Sequence, residues 1–123
     1  MSRRDELALQ DYLLHMQQAV ERIQRYLENM DHADFLSNEE KQDAVIRNLE
    51  VIGEAAGNIQ RHFPSFSVQH PDFPLKAAYG MRNALAHGYF TIDLDVVWTT
   101  VGRDLPQLAL QVEEVLLVFR QGR

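Results

Sequence analysis

The sequence predicts an all-α bundle of four or five helices. Three observations carry this. Apolar residues recur at alternating spacings of four and three through most of the chain, no stretch shows convincing strand alternation, and Ser, Asp, Gly and Pro stand where the stripes begin and end. At 123 residues the chain reads as a single domain over positions 1–123. A domain of that size removes about two thirds of its unfolded surface from water and holds a core unaided.

The first stripe, Leu9, Leu13, Met16, Val20, Ile23, Leu27 and Met30, predicts a long helix from about Asp5 to Met30, with His15 off the stripe and in solvent. Residues 31–37 read as a connection. Ser37 followed three positions later by Glu40 reads as a capping box that starts a second helix. There Val45, Leu49, Ile52, Ala56, Ile59 and Phe63 continue the stripe until Pro64 ends it. Gly53 and Gly57 lie one turn apart, and each costs about 1 kcal/mol of helix propensity against Ala. Their expected role is to let another backbone come close. Arg47 and Glu54, two turns apart, either pair or flank a cleft.

Ser65 to Pro74 reads as an ordered loop anchored by Phe66, Val68 and Phe73. His62, His70 and Asp72 match no familiar ligand spacing, so no metal is expected there. A third helix opens at Pro74 or just after it, with Leu75, Ala78, Met81 and Leu85 on its buried face. Asp93 caps a fourth, with Val97 and Val101 inward and Trp98 as a large core or interface anchor. Gly102 and Pro106 are expected to kink or break the pattern, making about Leu105 to Arg120 a separate fifth helix.

Composition narrows the function. The chain has no cysteine, which excludes disulfides and thiolate metal sites and fits a reducing compartment. The start, Met-Ser-Arg-Arg-Asp-Glu, has no apolar run of signal length, and the run Val115 to Phe119 is too short to span a bilayer. A soluble cytoplasmic protein without membrane partners is therefore expected. A net charge of −6 argues against coating nucleic acid through bulk electrostatics, but leaves room for a local patch from Arg47, Lys76, Arg82 and Arg103.

The stretch Gly80 to Phe90, Gly-Met-Arg-Asn-Ala-Leu-Ala-His-Gly-Tyr-Phe, concentrates the chemistry. Arg82 stays charged and can grip a phosphate through two parallel hydrogen bonds. His87 can take or give a proton near neutrality. Asn83 can help hold the phosphate or orient the imidazole, and Tyr89 adds a phenol. RNA carries its own nucleophile, the 2′-hydroxyl, so its cleavage needs only a base, an acid and a positive clamp, with no metal or other cofactor. One difficulty follows from geometry: on a straight helix Arg82 and His87 lie about 140° apart. Either Gly88 ends the helix and swings His87 round, or two copies face each other across a two-fold axis and supply two Arg and two His.

Met81 to Asp93, Met-Arg-Asn-Ala-Leu-Ala-His-Gly-Tyr-Phe-Thr-Ile-Asp, followed by Val96-Val97-Trp98, resembles the HepT toxins of the HEPN superfamily, whose signature is Arg-x-x-x-x-His-x-Tyr. Arg82, His87 and Tyr89 fall on that signature without a gap. Asp43-Ala44-Val45-Ile46-Arg47 and Ile52-Gly53-Glu54-Ala55 resemble the family's second helix, and the likeness runs from about Leu7 to Leu116. Leu75 departs from it, standing where a tryptophan is expected after the proline.

The resemblance implies a HEPN homodimer whose cleft draws on both subunits, acting as a metal-independent endoribonuclease toxin with Arg82 and His87 catalytic. It also implies a partner, a small MntA-like nucleotidyltransferase antitoxin that transfers AMP to Tyr89. A phosphodiester there would occupy the clamp that RNA needs. Two other readings stay open: a non-catalytic helical module that binds nucleotide or docks the transferase, and a structural polar pair at a helix end. Only the nuclease reading predicts growth arrest on expression without a partner.

Overall fold

A computed structural model of the chain describes residues 2–86 and 92–121, and it begins with a capped helix. The Ser2 hydroxyl accepts from the Asp5 backbone N–H at 3.1 Å and starts α1 (Arg3–Tyr26). This helix buries Leu9, Leu13, Met16, Ala19, Val20 and Ile23, the predicted stripe, and leaves His15 exposed. It ends at Tyr26, short of the expected Met30. Asn29 takes a φ of 64°, a left-handed conformation that Asn tolerates better than most residues, and the chain turns there. Leu27 and Met30 remain half-buried beyond the helix.

The expected connection holds a short helix, α2 (His32–Leu36). Asp31 and Asp34 cap it reciprocally, each carboxylate accepting from the other's backbone N–H at 2.8 and 3.1 Å. Its Phe35 is fully buried. The capping box expected from Ser37 and Glu40 is corrected by this helix. Ser37 closes α2, its hydroxyl donating to the Asp34 carbonyl at 3.1 Å, and α3 (Glu39–His62) is capped by Asn38, which accepts from the Lys41 N–H at 3.0 Å. Two adjacent good capping residues serve two different helices.

Helix α3 is the central element, packed against α1, α2, α5 and the single turn α4 (Phe66–Gln69). It buries Val45, Leu49, Ile52, Ala55, Ala56 and Ile59, and the one buried amide on it, Asn48, donates to the Ala44 carbonyl at 2.8 Å. Around α4, Phe66 and Phe73 meet edge to face at 5.1 Å in the core. Val68 is 81 % exposed and anchors nothing. Two residues along a helical turn is about 200° of rotation, so a residue that follows Phe66 at that distance faces away from the core.

Helix α5 (Leu75–Ala86) buries Leu75, Ala78, Met81 and Leu85, as the spacing predicts. The Asp93 carboxylate then accepts from the Asp95 and Val96 N–H groups at 3.0 and 3.2 Å and caps α6 (Leu94–Gln121). The predicted break is absent: α6 runs unbroken through Gly102 and Pro106, so there is no separate fifth helix over Leu105 to Arg120. A proline in a helix removes one hydrogen bond and crowds the carbonyl four residues back. Here that residue is Gly102, and both Gly102 and Pro106 are exposed, so water reaches the unpaired carbonyl while Leu105 and Leu108 stay in the core.

Four long helices and two short ones thus make up the described residues, with no strand among them. Trp98 ties α6 to α2. Its ring stacks on His32 at 5.5 Å and tilts against Phe35 at 5.4 Å, while His32 Nε2 meets the Asp95 carboxylate at 2.8 Å. No described helix is long and apolar enough to cross a membrane.

Candidate active site

Arg82 stands on the exposed side of α5, where α5 crosses α3 at Gly53. A Cβ placed on Gly53 would lie 2.5 Å from the Arg82 Cβ and 3.2 Å from its backbone nitrogen. No real side chain sits that close, so the crossing needs a residue without one. One turn further along α3, a Cβ on Gly57 would meet the Tyr79 ring at 3.0 Å. The two glycines therefore form the seat of α5, and the position of Arg82 follows from backbone contact.

Arg82 lines a cleft together with Glu50, Glu54 and Leu85. Glu54, expected from the sequence, lines it. Arg47 does not, although both residues are exposed, and no ion pair between Arg47 and Glu54 forms among the described residues, which removes the pairing alternative. Glu50 was not singled out from the sequence. Its signal is its spacing, one turn before Glu54 on the same face of α3.

Of the other expected site residues, Asn83 follows Arg82 on α5, and its side chain lies outside the described residues. His87 and Tyr89 lie outside them too, directly after the last described residue of α5, and so does the expected helix stop at Gly88. The question of how Arg82 and His87 meet falls with them.

The described lining of the cleft sets one cation against two carboxylates. The expected basic patch is thinner than composition suggests, because Arg103 binds Asp104 through two nitrogens at 2.9 and 3.0 Å. That hydrogen-bonded carboxylate pushes the Arg103 pKa up, and the pair is locally neutral. No three potential metal ligands gather among the described residues, and the His70 ring packs on Phe66 at 4.7 Å. The arrangement supplies one exposed guanidinium for an anion such as a phosphate. Two acceptors beside it suit hydroxyl or amino donors on the same ligand.

The sequence profile of the ribonuclease HepT-like family matches residues 16–115. The chain is 39% identical over 105 residues to a protein named "Probable ribonuclease HepT" from Thermococcus cleftensis, covering 85% of this chain and 93% of that one. It is 35% identical over 115 residues to a "Putative RNase" of Methanocaldococcus jannaschii, covering 94% of this chain and 100% of the relative. It is also 33% identical over 105 residues to a protein of the same description from Caldanaerobacter subterraneus subsp. tengcongensis, covering 85% and 91%. No solved structure matches.

Proposed function

Since the chain belongs to the ribonuclease HepT-like family, we propose that it is a metal-independent endoribonuclease toxin, a single HEPN domain over residues 1–123 that works in the cytoplasm as a two-fold homodimer. The observation that carries this reading is Arg82, an exposed guanidinium fixed by the Gly53 crossing in an open cleft, within the span that the family matches.

In this reading Arg82 steadies the scissile phosphate and stabilises the charge that gathers on its oxygens in the transition state. His87 removes the proton of the ribose 2′-hydroxyl, whose oxygen attacks the phosphorus in line. The bond from phosphorus to the 5′-oxygen breaks, and His87 of the second copy gives that oxygen a proton. The products are a 2′,3′-cyclic phosphate and a 5′-hydroxyl. Asn83 holds the phosphate or the imidazole in place. Glu54 flanks the cleft.

Control comes from a small nucleotidyltransferase antitoxin that joins AMP to the Tyr89 oxygen and releases pyrophosphate from ATP. The new phosphodiester then takes the place of the substrate phosphate beside Arg82.

The test is incubation of the purified protein with defined RNAs in EDTA, followed by analysis of the ends. Cyclic phosphate and 5′-hydroxyl ends are expected, with loss of cutting in Arg82→Ala and His87→Ala at unchanged helical content. Cutting by both variants at the wild-type rate overturns the assignment.

A further inference from the structure

A second cavity lies away from Arg82, at the end of the bundle where α1 stops and α3 begins. It has a volume of about 500 Å³, and Arg25, Tyr26, Asn38 and Lys41 are among the residues that line it. The Arg25 guanidinium lies 5.6 Å and the Lys41 ammonium 5.4 Å from the centre of the Tyr26 ring. Glu28 and Asp34 line the same cavity, yet neither Arg25 nor Lys41 makes an ion pair among the described residues. The Asp34 carboxylate is already taken by the Asp31 N–H in the α2 cap. Two cations are thus held over an aromatic ring beside two carboxylates, and neither cation is committed to an ion pair among the described residues.

A half-buried phenol ring with unpaired cations over it in an open cavity suits single-stranded nucleic acid: a cation that swings from the ring to a phosphate frees the face on which a base stacks. Neither component alone has that meaning. Lys41 and Gly53 are twelve residues apart on α3, or about 18 Å along the helix axis, and Gly53 marks the position of Arg82. We propose that the Arg25, Tyr26 and Lys41 cavity is an RNA-binding subsite, distant from the cleft, that stacks one unpaired base on Tyr26 and grips its flanking phosphates. The proposal rests on the ribonuclease reading for the identity of the polymer. A locally placed subsite of this kind lets an acidic protein hold RNA without a basic face.

The test measures binding and cutting separately. Binding of a labelled, unstructured RNA of about 20 nucleotides is followed by fluorescence anisotropy at several salt concentrations in the His87→Ala background. Base stacking contributes enough that Tyr26→Ala should weaken binding about ten-fold, with Tyr26→Phe restoring it. Lys41→Ala should reduce the salt slope by about one. In the active protein, the ratio of kcat/KM on the long RNA to that on a dinucleotide should fall about ten-fold in Lys41→Glu, because a dinucleotide fills the scissile position alone.

Thermal melts of the Tyr26→Ala and Lys41→Glu proteins check that each keeps the fold. If the wild type cuts RNA, Tyr26→Ala binds as tightly as it does and Lys41→Glu discriminates as it does, the subsite is wrong and the nuclease reading stands. If the wild type binds through Tyr26 but cuts nothing, the subsite stands and the nuclease reading fails. Equal displacement of the RNA by polyglutamate overturns the subsite in favour of a general anion surface.

Discussion

Arg82 owes its place to a missing atom. A methyl group on Gly53 has no room before the Arg82 Cβ, so Gly53→Ala must push α5 off α3. Overpacking of this kind costs about 1–3 kcal/mol, of which the better helix propensity of Ala offsets about 1. The expected outcome is a lower Tm in thermal melts and a larger loss in RNA cleavage, because the displaced residue is the proposed clamp. Gly102→Ala is the control. Nothing lies within 4 Å of a Cβ there, so the same exchange in α6 should raise stability by up to about 1 kcal/mol and leave cutting alone. The need for a small residue at Gly53 is legible in the sequence as an unfavourable glycine inside a helical stripe. The identity of the residue it makes room for is not, because that depends on the crossing of two helices.

Tyr89 supplies a second prediction at this scale. Co-expressed with the transferase, the wild-type chain should gain mass in steps of AMP, and Tyr89→Phe should gain none and stay toxic. Intact mass spectrometry and growth curves check this. An unmodified Tyr89 in the silenced pair would remove the proposed regulation.

At the scale of elements, the stripes of α1, α3 and α5 were readable because burial alone places apolar residues at four-three spacing. The errors cluster where a local rule met a tertiary fact. Pro106 reads as a break, but its exposed side faces solvent and its neighbours Leu105 and Leu108 hold the helix to the core. Pro106→Ala restores the lost hydrogen bond and should stabilise the protein by about 1–3 kcal/mol in urea titration. The connection over residues 31–37 shows no period in the sequence, because a five-residue helix is too short to have one, yet its Phe35 is fully enclosed. Phe35→Ala should cost about 3–5 kcal/mol by the same titration.

At the scale of the whole molecule, a net charge of −6 and a cleft whose described lining sets one cation against two carboxylates leave the cleft of a single copy poorly equipped to hold a scissile phosphate. The two-fold pairing proposed above doubles the cationic groups at the site. Mixing the wild type with an excess of His87→Ala should lower cutting below what dilution alone gives when subunits exchange, since a mixed dimer keeps one His87 where the proposed reaction uses two. Cutting that falls only in proportion to the dilution would show that each copy acts by itself. Pairing leaves no trace in hydropathy of a single chain, which is why the all-α class could be read so readily and the assembled site could not. The sequence identified the motif; the crossing at Gly53 and the carboxylate of Glu50 needed coordinates.

The stacked pair of Trp98 and His32 has a practical consequence. The chain has one tryptophan, so its ultraviolet emission comes from a known place, the seam where the short second helix rests on the last one. Loss of that docking exposes the indole to water and so changes the colour and yield of the light. An unlabelled sample therefore carries its own optical gauge of this corner, clear of the cleft that Arg82 lines.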